Sequence, residues 1–402
     1  MAFFRRANAG NFGSQIDPKV EAIVKENTTF ALDLYKALQE REENVFFSPY
    51  SISSALAMTY AGAKGETAQQ MAQTLHFASE QLHADFCALA TALKAAQQSA
   101  GISLKIANAL YPQKNYPFLD AFLNLISQNY EAEVTALDYM QNPEAARNTI
   151  NGQVAAQTEG KIQELIPAGE LNDLTRLVLA NAIYFKGDWA HPFDRAKTTT
   201  APFWFSPERS CQVPMMRQTQ TLAYANMEDL QALELPYAGE HLSMLILLPK
   251  QRDGLTALER NLTVENLDLW TKYLAPQEVQ VSLPCFKIEC CLKLHDILPG
   301  MGMSNAFDPA PDKANFSGMD GQENWLFISA IFHQAFVEVN EEGSEAAAAT
   351  AVVMSLRGIS LPEVFQADRP FIFLIRERRT DNVLFLGRFA QPEPASLQET
   401  KE

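Results

Sequence analysis

Residues 341–362 read EEGSEAAAATAVVMSLRGISLP, and their local preferences contradict one another. By propensity, residues 345–356 form a helix, because Ala is the strongest helix former and Glu345 stands at the start. Taken at period two, the same residues form a strand. Ser344, Ala346, Ala348, Thr350, Val352, Met354 and Leu356 then share one face, and Glu345, Ala347, Ala349, Ala351, Val353, Ser355 and Arg357 share the other. Both charges fall on the second face. The first carries only small or apolar side chains, so it suits burial in the middle of a sheet. A segment compatible with loop, helix and strand is a candidate conformational switch.

The rest of the chain supplies helices first and strands later. Residues 20–39 place Val20, Ile23, Val24, Phe30, Ala31, Leu34 and Leu38 near helical spacing. Ser48-Pro49 opens a second helix that is apolar on most faces, which predicts burial in the middle of the protein. Further helices are expected over 66–75, 80–97 and 144–162, although Gly152 costs the last about 1 kcal/mol relative to Ala. Strands are expected over 103–111 and 176–185. From residue 200 onward strands dominate, at 212–217, 222–226, 232–235, 242–248, 279–283, 335–339, 371–375 and 383–389. This order describes an α+β fold, with large sheets partly covered by helices. No internal repeat and no long linker divides the 402 residues.

Composition excludes several function classes. There are 32 Lys and Arg against 48 Asp and Glu, a formal charge of −16. That balance argues against nucleic acid and anionic membranes as partners. The opening MAFFRRANAGNFGS carries two arginines without the apolar core of a secretory signal, and the apolar run at 242–248 is too short to span a bilayer. Localisation therefore stays open between the cytoplasm and release by an unrecognised route. Five cysteines, Cys87, Cys211, Cys285, Cys290 and Cys291, cannot all pair within one chain and are expected as free, buried thiols. No Gly-x-Ser-x-Gly elbow, phosphate loop or zinc-binding helix motif is present, and the six histidines lack metal-ligand spacing. The chain reads as a protein without catalytic residues, metal or cofactor.

Four groups of fragments then fall into a recognisable order. They are FFSPYSISSALAMTYAGAKGET at 46–67, LANAIYFKGDW at 179–189, HQAFVEVNEEGSEAAAAT at 333–350, and DRPFIFLIRE with VLFLGRFAQP within 368–392. In sequence and spacing they resemble the serpins, the large family of serine-protease inhibitors. The resemblance covers nearly the whole chain. It implies three β-sheets, about nine helices and an exposed reactive-centre loop at about 341–362, within a single domain at 20–392. Residues 1–19 would form a flexible extension and residues 393–402 a frayed tail. It also implies a mechanism, in which a protease attacks the loop and forms an acyl-enzyme. The cleaved loop then inserts into the central sheet and drags the protease with it. Fourteen residues from Ser344 to Arg357 span on the order of 45 Å as a strand. The uncleaved inhibitor must then be a kinetic trap.

The resemblance assigns roles to individual residues. The hinge is Glu341, Glu342, Gly343, Ser344, Glu345, Ala346, Ala347, Ala348, Ala349 and Thr350. Gly343 allows backbone angles closed to other residues, and Ser344 is small enough to lead insertion. The stretch carries none of the bulky, charged or proline substitutions common in non-inhibitory relatives. The scissile bond, counted as the seventeenth residue from Glu341, is Arg357–Gly358, which suits the acidic pocket of a trypsin-like serine protease. Attack at Met354 or Leu356 is the alternative. Gly358 stands where many relatives have Ser, and one extra residue before Pro362 would shift the bond by one. Ser48, Ser51, Asn181 and His333 match the shutter beneath the opening of the main sheet, and Trp189 matches the breach where insertion begins. Gln153 replaces a Trp of many relatives. The expected function is irreversible inhibition by a monomer; the alternative is a non-inhibitory serpin used as a binding or chaperone protein. The segment at 80–97 contains only Lys94 as a base, which argues against heparin-type activation. Asn27, Asn261 and Asn315 head glycosylation sequons by pattern alone.

Overall fold

Asp17 accepts a hydrogen bond from the Lys19 amide at 3.0 Å and Pro18 fills the first turn, so the leading helix starts two residues before Val20. The computed structural model describes residues 16–41, 43–130, 132–322, 326–342 and 361–392, and the tail at 393–402 lies outside them. Among the described residues nine α-helices form. They are α1 (Pro18–Leu38), α2 (Pro49–Tyr60), α3 (Gly65–Leu75), α4 (Leu82–Gln97), α5 (Asp120–Tyr130), α6 (Pro143–Gln157), α7 (Leu255–Arg260), α8 (Val264–Lys272) and α9 (Ser317–Asp320). Every α2 residue before Tyr60 is buried, as its apolar and small side chains require.

The first strands along the chain are β1 (Val45–Phe47), β2 (Ile102–Pro112), β3 (Glu133–Val134), β4 (Leu177–Gly187), β5 (Thr199–Trp204), β6 (Ser210–Asn226) and β7 (Leu230–Pro236). They continue with β8 (Leu242–Pro249), β9 (Ala275–Pro284), β10 (Phe286–Lys293), β11 (Ala330–Val339), β12 (Glu363–Gln366), β13 (Phe371–Glu377) and β14 (Val383–Phe389). Five of them form a sheet in the order β10-β11-β4-β2-β3, and nine form the second assembly, from β1 through β14, β13, β8, β7, β6 and β9 to β12, with β5 on β6. The second assembly contains two of the three implied sheets. They are continuous through β6, which pairs β5 and β9 along most of its length and β7 at its end.

Several elements differ from expectation. Residues 212–226 were expected as two strands because 218–221 is polar. In the structure this stretch stays in register with β9, from Gln218 opposite Val281 to Thr221 opposite Glu278, so one strand results. Helix α6 stops at Gln157 rather than 162. Glu159 and Gly160 adopt left-handed angles, φ 54° and 75°, and the Gly160 amide bonds the Ala155 carbonyl at 2.7 Å, a glycine-type stop. Helix α5 escaped the sequence pattern because it buries only Phe122 and Ile126 among mixed neighbours. The thiols also divide. Cys290 is buried and Cys291 exposed, as neighbours on β10 must be, while Cys87, Cys211 and Cys285 are half-buried, so the expectation of burial holds for Cys290 alone.

The five-stranded sheet is covered on both faces at its centre. Leu177, Leu179, Ile183 and Phe185 of β4 pack into the main core together with α2, β13 and β14. Val178, Ala180 and Ala182 pack the other way, against Ile150 and Val154 of α6. Double coverage explains why β4 is apolar on both faces apart from Asn181 and its last residues.

Candidate functional site

Strands β4 and β11 lie side by side at the centre of this sheet, and they run parallel. Eight consecutive pairs join them, from Ala330 opposite Val178 to Val337 opposite Phe185. Parallel ladders are slightly less stable per residue than antiparallel ones, so this seam is a weak line through an otherwise dense core.

The middle of the seam is bound by polar side chains in a single row. Asn108 of β2 stands opposite Asn181 of β4, which stands opposite His333 of β11. The amino end of α2 lies beneath them. Ser48 caps that helix by accepting the Ser51 amide at 3.1 Å, and its own amide donates to His333 Nε2 at 3.1 Å. Because Nε2 accepts, the imidazole proton sits on Nδ1 and donates to Asn181 Oδ1. Burial pushes the His333 pKa down to about 3, which keeps the ring neutral. Asn181 Nδ2 donates to the Ser51 carbonyl at 2.9 Å, to Ser51 Oγ at 2.6 Å and to Asn108 Oδ1. Ser51 Oγ in turn donates to Asn108 Oδ1 at 3.2 Å. All four expected shutter residues therefore meet in one network. Asn108 belongs to it and was not anticipated, although the sequence carries a signal: Ala-Asn-Ala occurs in both strands, at 107–109 and 180–182.

At the top of the seam the chain leaving β4 meets the chain leaving β11. Trp189 is buried, stacked on Tyr237 with ring centroids 4.6 Å apart. Its Nε1 donates to the Asn340 carbonyl at 2.9 Å and its amide to the Glu342 carbonyl at 3.3 Å. The Phe193 amide donates to the Glu341 carbonyl at 2.8 Å. Thr198 Oγ1 donates to the Glu341 carboxylate at 2.6 Å, and Arg195 pairs with Glu342 at 2.7 Å. Cys285 lies against the Glu341 carboxylate; burial first, then that charge, push its thiol up to about 12. Trp189, Glu341 and Glu342 are thus brought together. The remaining hinge positions, Gly343, Ser344, Glu345, Ala346, Ala347, Ala348, Ala349 and Thr350, lie outside the described residues, as do Arg357 and Gly358.

Gln153 of α6 is half-buried, and among the described residues its Oε1 has no partner. Asn27 is buried and donates to Asn382 Oδ1 at 2.9 Å, so its sequon serves packing. Among the described residues no group of three His, Cys, Asp or Glu side chains is placed to hold a metal ion.

Known proteins share this architecture. The family model for serpin (serine protease inhibitor) matches residues 25–392. The leukocyte elastase inhibitor of Homo sapiens is 45% identical over 384 residues, covering 93% of this chain and 100% of that protein. Uncleaved ovalbumin superposes with a TM-score of 0.84 at 31% identity, over 92% of this chain and 100% of that one. Human thyroxine-binding globulin superposes with a TM-score of 0.83 at 32% identity, over 94% of this chain and 100% of that one.

Proposed function

The chain belongs to the serpin family, and from that premise we propose that it traps a serine protease irreversibly as a suicide substrate. The protease serine attacks the carbonyl of the scissile bond and expels the amine of the following residue, which leaves an ester to the loop. The freed loop, residues 344–357, then enters the five-stranded sheet between β4 and β11. The observation that carries this reading is the closed parallel seam. A strand entering it antiparallel to both neighbours replaces one parallel ladder with two antiparallel ones, so insertion runs downhill. A body that opens in this way must act as one cooperative unit over residues 20–392, which the hydrophobic cluster running from Val20 to Phe389 favours.

Arg357 directs the inhibitor to trypsin-like proteases, whose acidic pocket accepts a guanidinium. The name of the elastase-inhibiting relative favours a second specificity, with attack at Met354 or Leu356. Incubation with trypsin and with elastase, followed by denaturing electrophoresis, tests both. The inhibitor forms a complex that survives denaturation, and the mass of the released peptide identifies the bond. Loop cleavage by every protease without a stable complex overturns the reading. That outcome would favour a binding protein, for which a cavity of about 540 Å³ between α1 and α8, reached by Lys25, Leu267 and Arg376, offers a ligand site.

A further inference from the structure

The cavity of about 540 Å³ between α1 and α8 has an aliphatic floor under a charged rim. Val24, Leu245, Leu267, Leu374 and Val383 line it and are themselves buried. Glu21 of α1 and Asp268 of α8 line it as well and are exposed. Of the bases there, Lys25 stands near Glu265, Arg376 is paired with Glu234 and Asp381, and Lys272 is exposed at the end of α8. Pro18, the first residue of α1, is part of the wall, and Ile16 just before it packs against the main core. Fifteen residues precede Ile16 and lie outside the described ones, MAFFRRANAGNFGSQ. Phe3 and Phe4 stand side by side in them, and Arg5 and Arg6 are their only charged side chains.

We infer that the chain fills this cavity itself: Phe3 and Phe4 enter it, and Arg5 and Arg6 meet Glu21 and Asp268 at the rim. Length permits this. The part of α1 that lines the cavity, from Pro18 to Thr28, is about 15 Å long at 1.5 Å per residue. Residues 7–15 reach about 30 Å when extended, twice that distance. Gly10 and Gly13 supply the backbone freedom with which the segment reverses direction beside Pro18. Polarity favours it too. Phenyl rings bury large apolar area against an aliphatic floor, and guanidinium groups bond carboxylates in pairs of hydrogen bonds. A linker of nine residues also holds the segment at about millimolar concentration, so contacts of modest strength keep the site filled. The cavity is thereby closed to free apolar molecules. Nothing in this inference depends on how the chain meets a protease.

The test is the binding of Nile red, a neutral dye that fluoresces in apolar sites, to the full chain. Phe3→Ser combined with Phe4→Ser should bind it about tenfold more tightly than the parent, and Arg5→Ser combined with Arg6→Ser about two- to threefold. Ala22 lines the cavity from an exposed position of α1, so Ala22→Trp blocks the site without disturbing the core. Added to the double Phe variant, it should abolish the gain and so assign it to this cavity. Benzoylphenylalanine in place of Phe4 should, on irradiation, cross-link to residues 18–28 or 264–272, as read by mass spectrometry. A double Phe variant that binds the dye no more tightly than the parent overturns the inference and leaves the cavity to a free ligand. A gain that survives Ala22→Trp, or cross-links found only elsewhere, overturns it as well.

Discussion

Midway along the seam, β4 and β11 are joined by neutral groups out of reach of water: Asn181 and His333 are fully buried, and Ser48 and Ser51 close around them. At its top, the same two strands are joined through carboxylates, with a guanidinium largely in solvent and a hydroxyl half-buried. The contrast teaches where each control must act. Buried neutral bonds are strong because no partner is available to replace them, so the middle is the firmer part of the seam. Half-exposed charged bonds exchange readily with water, so the top is the more readily parted end of the seam. A sheet held uniformly by either means would remain shut or would open unprompted.

Breaking the middle should have the largest effect. His333→Ala leaves the Ser48 amide and Asn181 Oδ1 without a partner and opens a void, at a cost of about 3 kcal/mol to the native form. A melting temperature lowered by several degrees would show it; an unchanged one would dissolve the comparison. Asn108→Ala should cost less, about 1–2 kcal/mol, because Asn108 is only half-buried at the edge of the row.

Acid should distinguish the two regions next. The folded pKa of His333, about 3, lies below the ordinary value of about 6.5. Between these values the unfolded chain binds a proton that the native ring refuses. The stability contributed by the neutral ring is present above about pH 6.5 and falls on the order of 1.4 kcal/mol per unit as pH drops toward 3. Unfolding followed across pH should show that slope, and His333→Gln should remove it. Salt should produce the smallest effect, confined to the top. Raising ionic strength from about 0.05 to 0.5 M should weaken the Arg195–Glu342 pair by a few tenths of a kcal/mol, and Arg195→Ala should abolish that dependence.

The two regions also differ in how far the sequence discloses them. The residues of the buried network lie inside or at the start of strands and a helix whose patterns are regular, so Ser48, Ser51, Asn181 and His333 could be placed together from their motifs. Asn108 was missed only because one asparagine in an apolar strand looks like a local exception. The side chains that meet Glu341 and Glu342 carried no such mark. Thr198 and Glu341 are 143 residues apart, and Thr198 follows a three-residue turn of helix in a connection whose composition is ordinary. Contacts between loop segments depend on tertiary placement, which periodicity does not encode. The same limit hid α5 and divided β6, where pairing with β9 holds a polar stretch extended that its own residues would not.

Heat resistance before and after loop cleavage tests the central claim most directly. Cut within residues 350–357 by a protease that it does not trap, the protein should melt well above the uncut form, because the freed segment fills the seam between β4 and β11. A cut protein that melts at or below the temperature of the uncut one would mean that the sheet does not accept the loop, and the account would fail.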